Sequence, residues 1–307
     1  MTGAAAPAGP AQIDGAPVVL LDGGMSNALE DRGHDLSDAL WTARLLRDAP
    51  AEIAAVHRAY FDAGARVATT ASYQASLTGL VAAGLGNREA QQLIGSSVTI
   101  ARNVRDSLAS NGTRRWVAAS VGPYGATLAD GSEYRGHYGL SNAQLRDFHL
   151  PRLELLAAAG PDLFAVETIP DIDEAEVLVD LLDEVGLPAW LSFSILGRRT
   201  RAGQHLSDAF AVAASAETVF AVGVNCCPPA DVLPALETAH AVTGKPTVAY
   251  PNSGEQWSAA ARGWQGAAAY DVGLAPGWVA AGAAYVGGCC RVGPSTIAAL
   301  ATILETE

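Results

Sequence analysis

The chain has 307 residues, half of them apolar and 17% charged, with a formal net charge of −13 at neutral pH. That length suits an α/β barrel built around one core, and the high apolar fraction excludes a disordered chain. An acidic chain with no cluster of Lys and Arg also lacks the footprint of a nucleic-acid binder.

Residues 1–16, MTGAAAPAGPAQIDGA, are small, rich in Pro, Ala and Gly and without periodicity, so they are expected to form a disordered N-terminal lead. They have neither the basic nor the continuous apolar region of a secretory signal, and no later run reaches the length of a membrane span. A cytoplasmic location is expected. Thiols stay reduced there, so grouped cysteines point to metal binding or catalysis rather than to disulfides.

From residue 17 onward, short apolar runs near 17–22, 66–70, 116–121, 161–166, 188–193, 220–225, 246–250 and 284–287 read as strands. Amphipathic or Ala-rich segments near 51–64, 87–110, 141–159, 171–185, 207–217, 229–242, 273–282 and 295–304 read as the helices between them. Asp171, Ser207 and the pair Pro294-Ser295 are the predicted caps of three of these helices. Eight strands alternating with eight helices predict a single α/β domain over 17–307, a (β/α)8 TIM barrel, with an open doubly wound sheet as the alternative.

A barrel carries its chemistry on the loops that follow the strands. In chain order these read LDGGM, TTASYQAS, VGPYGATLADGSEYRGHY, VETIP, VNCCPP, YPNSGEQW and GGCCRVGP, and all four cysteines fall on them. The loops that return from helix to strand, such as TGKP at 243–246, are short and chemically plain.

Strand neighbours point to opposite faces, so Cys289 and Cys290 face one point only if the strand ends just before them. Gly287 and Gly288 are expected to permit that ending by allowing a backbone turn. Cys226 and Cys227 end the sixth strand on the same rim, so three thiols from two strand ends can meet around one ion. Sulfur ligands select zinc among the common divalent metals. Ligation by Cys226, Cys289 and Cys290 gives an open site; adding Cys227 closes it. Cys227 precedes two prolines and is expected to point away as a small packing residue. Three thiolates around Zn2+ leave a net charge of about −1, a poor setting for making hydroxide but a good one for activating a fourth thiol as a nucleophile.

The motifs LDGGM, TASYQAS, GPYGATLADGSEYRGHY, VETIP, GVNCCPP, YPNSGEQW and GGCCRVGP, in this order from about Val18 to the last helix, resemble those of the homocysteine S-methyltransferases. The long segment after the third strand is similar to the branch that uses S-methylmethionine or S-adenosylmethionine. The resemblance implies a zinc barrel in which Cys226, Cys289 and Cys290 hold the metal and homocysteine supplies the fourth ligand. It further implies that Asp22, Gly23 and Glu167 hold the amino-acid end of homocysteine, with Asn225 beside the metal. A free amino acid carries an ammonium and a carboxylate, for which a carboxylate on a strand end and backbone donors of a Gly-rich loop are suitable partners.

The methyl donor is expected to be a small sulfonium, because a cobalamin or folate route needs further domains and the strand–helix units consume the chain beyond the lead. Tyr124, Glu133 and Tyr134 are the candidate donor contacts, since an aromatic or carboxylate rim attracts a cation. His137 has no assigned role, and the six histidines lack metal-ligand spacing. Rival readings stand beside these. Asp22 and Glu167 can cap helices or pair with arginines, Tyr73 and Tyr124 can pack under loops, and free cysteines are commonly buried as small hydrophobes. The segment GGCCRVGPST can serve as a phosphate cradle, which leaves Cys226 unexplained. A non-catalytic zinc site needs a fourth sulfur, and a zinc hydrolase needs His or carboxylate ligands on the rim.

Overall fold

The computed structural model describes residues 18–36, 42–258 and 263–305, so the lead expected over 1–16 lies outside the described residues. Eight parallel strands form one sheet: β1 (Val19–Leu20), β2 (Val67–Thr69), β3 (Trp116–Val121), β4 (Leu163–Ile169), β5 (Ala189–Phe193), β6 (Val219–Asn225), β7 (Thr247–Tyr250) and β8 (Ala283–Val286). They pair in the order β1-β8-β7-β6-β5-β4-β3-β2, and a parallel bridge from Leu21 to Val67 joins the two ends. The sheet is thereby closed into the expected barrel.

The strands are buried on both faces, which is why they read as continuous apolar runs. Alternation still sorts their side chains into two cores. Val117, Ala119, Phe164, Val166, Leu191 and Val286 pack outward with the helices. Val19, Leu21, Trp116, Ala118, Leu163, Ala165, Trp190, Val248 and Tyr285 fill the barrel. Trp190 and Tyr285 lie 6.3 Å apart between ring centroids, and Phe220 and Tyr285 5.5 Å apart. This aromatic layer plugs the barrel, so space for a ligand lies above it, at the rim where the strands end.

The outer ring comprises α1 (Pro50–Asp62), α2 (Asn87–Ser107), α3 (Asn142–Ala158), α4 (Ile172–Val185), α5 (Leu206–Ala211), α6 (Pro229–Thr243), α7 (Ala275–Ala280) and α8 (Pro294–Glu305). Asp171 caps α4 as expected, its side chain accepting from the Asp173 N–H. The segment expected to be helical over 207–217 differs: α5 begins after His205 rather than at a Ser207 cap and ends at Ala211. Ala213 and Ala216 beyond it are buried in turns that lead into β6. Three short helices, Met25–Glu30, Thr42–Asp48 and Leu77–Ala82, and two antiparallel hairpins, Ile195–Leu196 with Arg199–Thr200 and Gln256–Ser258 with Gly263–Gln265, interrupt the regular alternation. Among the described residues, no helix is long and apolar enough to cross a membrane.

Candidate functional site

A cavity at the rim is lined by the ends of β1, β2, β4, β6, β7 and β8, among them Asp22, Thr69, Glu167, Cys226, Tyr250 and Cys289. Strict alternation along β6 sends Val222 and Val224 outward and Asn225 inward, which would turn Cys226 outward and Cys227 inward. The reverse is found: Cys226 lines the cavity and Cys227 packs in the outer core. Cys226 adopts a left-handed conformation with φ of 46°, which breaks the alternation at that residue. Thr168, at the end of β4, does the same with φ of 61° and also lines the cavity. Positive φ in a β-branched residue is strained, and strain of this kind is maintained by surrounding contacts.

Those contacts come from Asn225. Its Oδ1 accepts from the Thr168 N–H at 2.7 Å and the Ser192 hydroxyl at 2.9 Å, and its Nδ2 donates to Thr168 Oγ1 at 2.8 Å. The same Nδ2 lies 3.8 Å from Cys289 Sγ. Asn225 therefore joins the unusual backbone of β4 to the thiol cluster, beside which the sequence reading put it.

The sulfurs of Cys226, Cys289 and Cys290 all lie within 4.8 Å of one another, with Cys226 and Cys290 3.5 Å apart. Metal–sulfur bonds of about 2.3 Å in a tetrahedron put sulfurs about 3.8 Å apart, so the set fits one ion with a fourth position open. Hydrogen bonds from the Cys289 and Cys290 thiols hold the Cys226 thiol well below its ordinary range, and the same contacts raise the other two. Tyr134 Oη lies 3.2 Å from Cys226 Sγ. Burial pushes the Cys227 thiol up, away from thiolate chemistry, as expected of a packing residue.

Gly287 and Gly288 work differently from expectation. Neither has positive φ. A Cβ on Gly287 would come within 2.6 Å of Leu21 Cβ, and one on Gly288 within 2.1 Å of Val292 Cγ1. Gly287 is needed for close approach between the β1 and β8 ends and Gly288 for packing of Val292 within the loop, while the left-handed residue of that loop is Arg291 with φ of 61°.

Asp22 and Glu167 line the same cavity, from the ends of β1 and β4. Thr69 donates to both oxygens of Asp22, from its N–H at 2.7 Å and its hydroxyl at 2.8 Å. Ser120 Oγ donates to Glu167 Oε1. Burial raises the Asp22 carboxyl to about 8 and the Glu167 carboxyl to about 7. Neither caps a helix or pairs with an arginine among the described residues, so the duller reading of these two carboxylates fails. Gly23 lines the cavity too, and a Cβ there would meet Val292 O at 2.2 Å. Tyr60, on α1, donates to the carbonyls of Gly24 and Val292, each at 3.0 Å, and ties the first and last loops together.

The loop after β3 divides the donor candidates. Glu133 and Tyr134, on the one-turn helix Ser132–Tyr134, line the cavity. Tyr124 does not: its ring packs against Tyr138 and Phe148 with centroids 5.3 and 5.0 Å away. Tyr73, for which packing under a loop was the rival reading, lines the cavity. Behind this wall Arg152 of α3, fully buried, donates to the carbonyls of Gly122 at 3.0 Å, Tyr73 at 3.1 Å and Ser72 at 3.3 Å. Thr69, Ser120, Arg152, Thr168, Ser192 and Tyr250 are site-forming residues that sequence reasoning did not single out.

Comparison with known proteins agrees with this geometry. The family model for homocysteine S-methyltransferase matches residues 19–304. Homocysteine S-methyltransferase of Escherichia coli (strain K12) is 45% identical, covering 94% of this chain and 96% of its own length. Homocysteine S-methyltransferase YbgG of Bacillus subtilis (strain 168) is 43% identical, covering 94% and 95%. The crystal structure of the E. coli homocysteine methyltransferase MmuM in its metallated form superposes with a TM-score of 0.87 at 41% identity, covering 96% of this chain and 99% of that one.

Proposed function

The chain belongs to the homocysteine S-methyltransferase family, and from that premise we propose that it moves a methyl group from a small sulfonium donor to the sulfur of homocysteine, forming methionine. S-methylmethionine is the preferred donor and S-adenosylmethionine a weaker one. The observation that carries this reading is the convergence of three thiols on a cavity that also holds two buried carboxylates.

Cys226, Cys289 and Cys290 hold zinc, for which an all-sulfur ligand set is selective. An ion held by these three residues would supply a lowered pKa to a substrate thiol beside it while leaving that sulfur electron-rich. A reducing cytoplasm keeps the three thiols available to it.

Asp22 and Glu167 receive the ammonium of homocysteine. Each is buried with a raised pKa, and an arriving cation restores the ionised form. Gly23 lets the backbone approach the amino-acid end, and Asn225 fixes the Thr168 segment against which homocysteine lies. Glu133 and Tyr134 form the donor side of the cavity.

The reaction is an in-line displacement. A lone pair of the homocysteine thiolate forms the new S–CH3 bond while the C–S bond of the donor breaks, its electron pair remaining on the donor sulfur. Two neutral thioethers result, and the thiol proton has already left. The sulfonium charge activates the methyl, so the protein contributes thiolate generation and alignment rather than proton transfer.

The test is mass spectrometry of methionine formed from homocysteine whose carbon chain carries a heavy isotope and a donor whose methyl groups carry deuterium, on protein of measured zinc content. Methionine bearing both labels from S-methylmethionine, and none from methyltetrahydrofolate, is the expected result. Efficient use of betaine with no sulfonium turnover would reject the donor assignment.

A further inference from the structure

Glu133 is buried with part of its carboxyl unsatisfied. It is 4% exposed, it lines the cavity with Cys226 and Tyr134, and its Oε2 has no hydrogen-bond partner among the described residues. Asp22, by contrast, has both oxygens satisfied by Thr69. A bare carboxylate oxygen shut away from water is costly, so a structural role would normally supply it with donors. None of the nearby cations does so. Arg135 faces Asp130 at 3.8 Å, and the Arg201 guanidinium lies over the Tyr134 ring, 5.5 Å from its centroid. The backbone of Glu133 is nonetheless held firmly: a Cβ on Gly125 would come within 2.6 Å of Glu133 N, so the turn before it is packed directly against this residue. A fixed backbone thus presents a carboxyl with one bare oxygen, raised by burial to about 7 and ionised above that pH, to a cavity whose other wall is the methyl-accepting site.

We infer that Glu133 is the residue that selects the donor by charge, pairing with its cationic sulfur and releasing the neutral thioether left after transfer. The inference rests on the sulfonium reading above. The charge bookkeeping gives it a distinctive kinetic signature. Before transfer the donor sulfur carries a full positive charge; in the transition state the charge is partly cancelled by the incoming thiolate; afterwards it is gone. An anion beside that sulfur therefore stabilises the bound donor more than the transition state. It lowers the donor KM without accelerating the chemical step, and it gives the product nothing to hold.

The experiment compares wild type with the isosteric Glu133→Gln and the charge-retaining Glu133→Asp at pH 8 with S-adenosylmethionine as donor, reading kcat, the KM of each substrate and inhibition by S-adenosylhomocysteine, the demethylated thioether that differs from the methionine formed. For Glu133→Gln the expected outcome is a rise in donor KM of about tenfold or more with kcat unchanged or higher, which is the pattern of lost ground-state binding. The homocysteine KM and the product inhibition constant stay as in wild type, and Glu133→Asp falls between the two. Equal weakening of donor and neutral product would overturn the inference, since shape rather than charge would then be read. So would a fall in kcat at constant donor KM, or unchanged kinetics. Should Glu133→Gln fail to fold, wild-type binding of a non-reactive sulfonium against its neutral thioether isostere decides the matter, and equal affinity overturns the inference. A wild-type enzyme that turns over no sulfonium at all defeats the functional reading itself, a result distinct from every variant outcome.

Discussion

Replacing Asn225 by alanine removes three buried hydrogen bonds in one step. The groups left behind do not suffer equally. Ser192 Oγ retains Tyr250 Oη at 2.6 Å, so its loss is small. The Thr168 N–H and hydroxyl lose the amide that clamps them, at about 1–3 kcal/mol for a donor left unsatisfied in the interior and about 1 kcal/mol for the second bond. Thr168 also carries left-handed backbone strain of order 1–3 kcal/mol, which is then free to relax and recover part of the loss. The expected net cost is about 2 kcal/mol by urea denaturation of the metal-free protein. Because Thr168 Oγ1 is itself one of the partners, the same substitution in a Thr168→Val background, which keeps a β-branched residue but lacks the hydroxyl, should cost less by about 1 kcal/mol. A cost below about 0.5 kcal/mol, or strict additivity of the two substitutions, would refute the idea that Asn225 holds Thr168 in its conformation.

Substituting Ser for Cys226, Cys289 or Cys290 should abolish metal retention and methyl transfer together, whereas Cys227→Ser should lower stability by about 1–3 kcal/mol through a buried hydroxyl yet retain the metal; metal analysis and thermal melts check this. In the metal-free and substrate-free protein, Asp22 is raised from 3.8 to about 8 and Glu167 from 4.5 to about 7, so the folded state binds more protons than the unfolded chain across that window. Stability should therefore fall as pH rises from about 4 to about 8, and Asp22→Asn should flatten the slope of unfolding free energy against pH. Arg152→Met should lower stability by about 2–3 kcal/mol, because three carbonyls lose one planar donor. Arg152→Lys should recover only part of this, since an ammonium cannot reproduce the guanidinium fork, and equal denaturation midpoints for Lys and Arg would contradict that reading.

Much of the architecture was legible because parallel barrel strands are buried on both faces and announce themselves as short apolar runs between turn residues. The cysteines were legible for another reason: two pairs at two strand ends leave few geometries apart from a shared ion. What was not legible depends on exceptions to periodicity. Alternation assigns Cys226 and Cys227 to the wrong faces, and the left-handed turn at Cys226 that corrects this leaves no mark in an NCCPP string. Thr168 is hidden in the same way, since a β-branched residue is the last type expected at positive φ. A signal did exist for Ser120 and Tyr250. Each continues an inward row, Trp116-Ala118-Ser120 and Val248-Tyr250, and a polar group at the upper end of such a row faces the rim. Arg152 was hidden by its helix, where an arginine ordinarily reaches solvent. Tyr124 misled because nearness in sequence to Glu133 and Tyr134 does not survive the turns between them: the ring folds back onto Phe148 of α3.

The central claim is that the three-thiol site receives the sulfur of homocysteine as its fourth partner. X-ray absorption at the zinc edge, recorded on the loaded protein before and after homocysteine is added, measures this directly. Three sulfur neighbours and one lighter atom are expected before addition, and four sulfur neighbours at about 2.3 Å afterwards. Four sulfurs already present without homocysteine would make Cys227 a ligand and the site closed. An unchanged sulfur count on addition would contradict thiol activation at this centre.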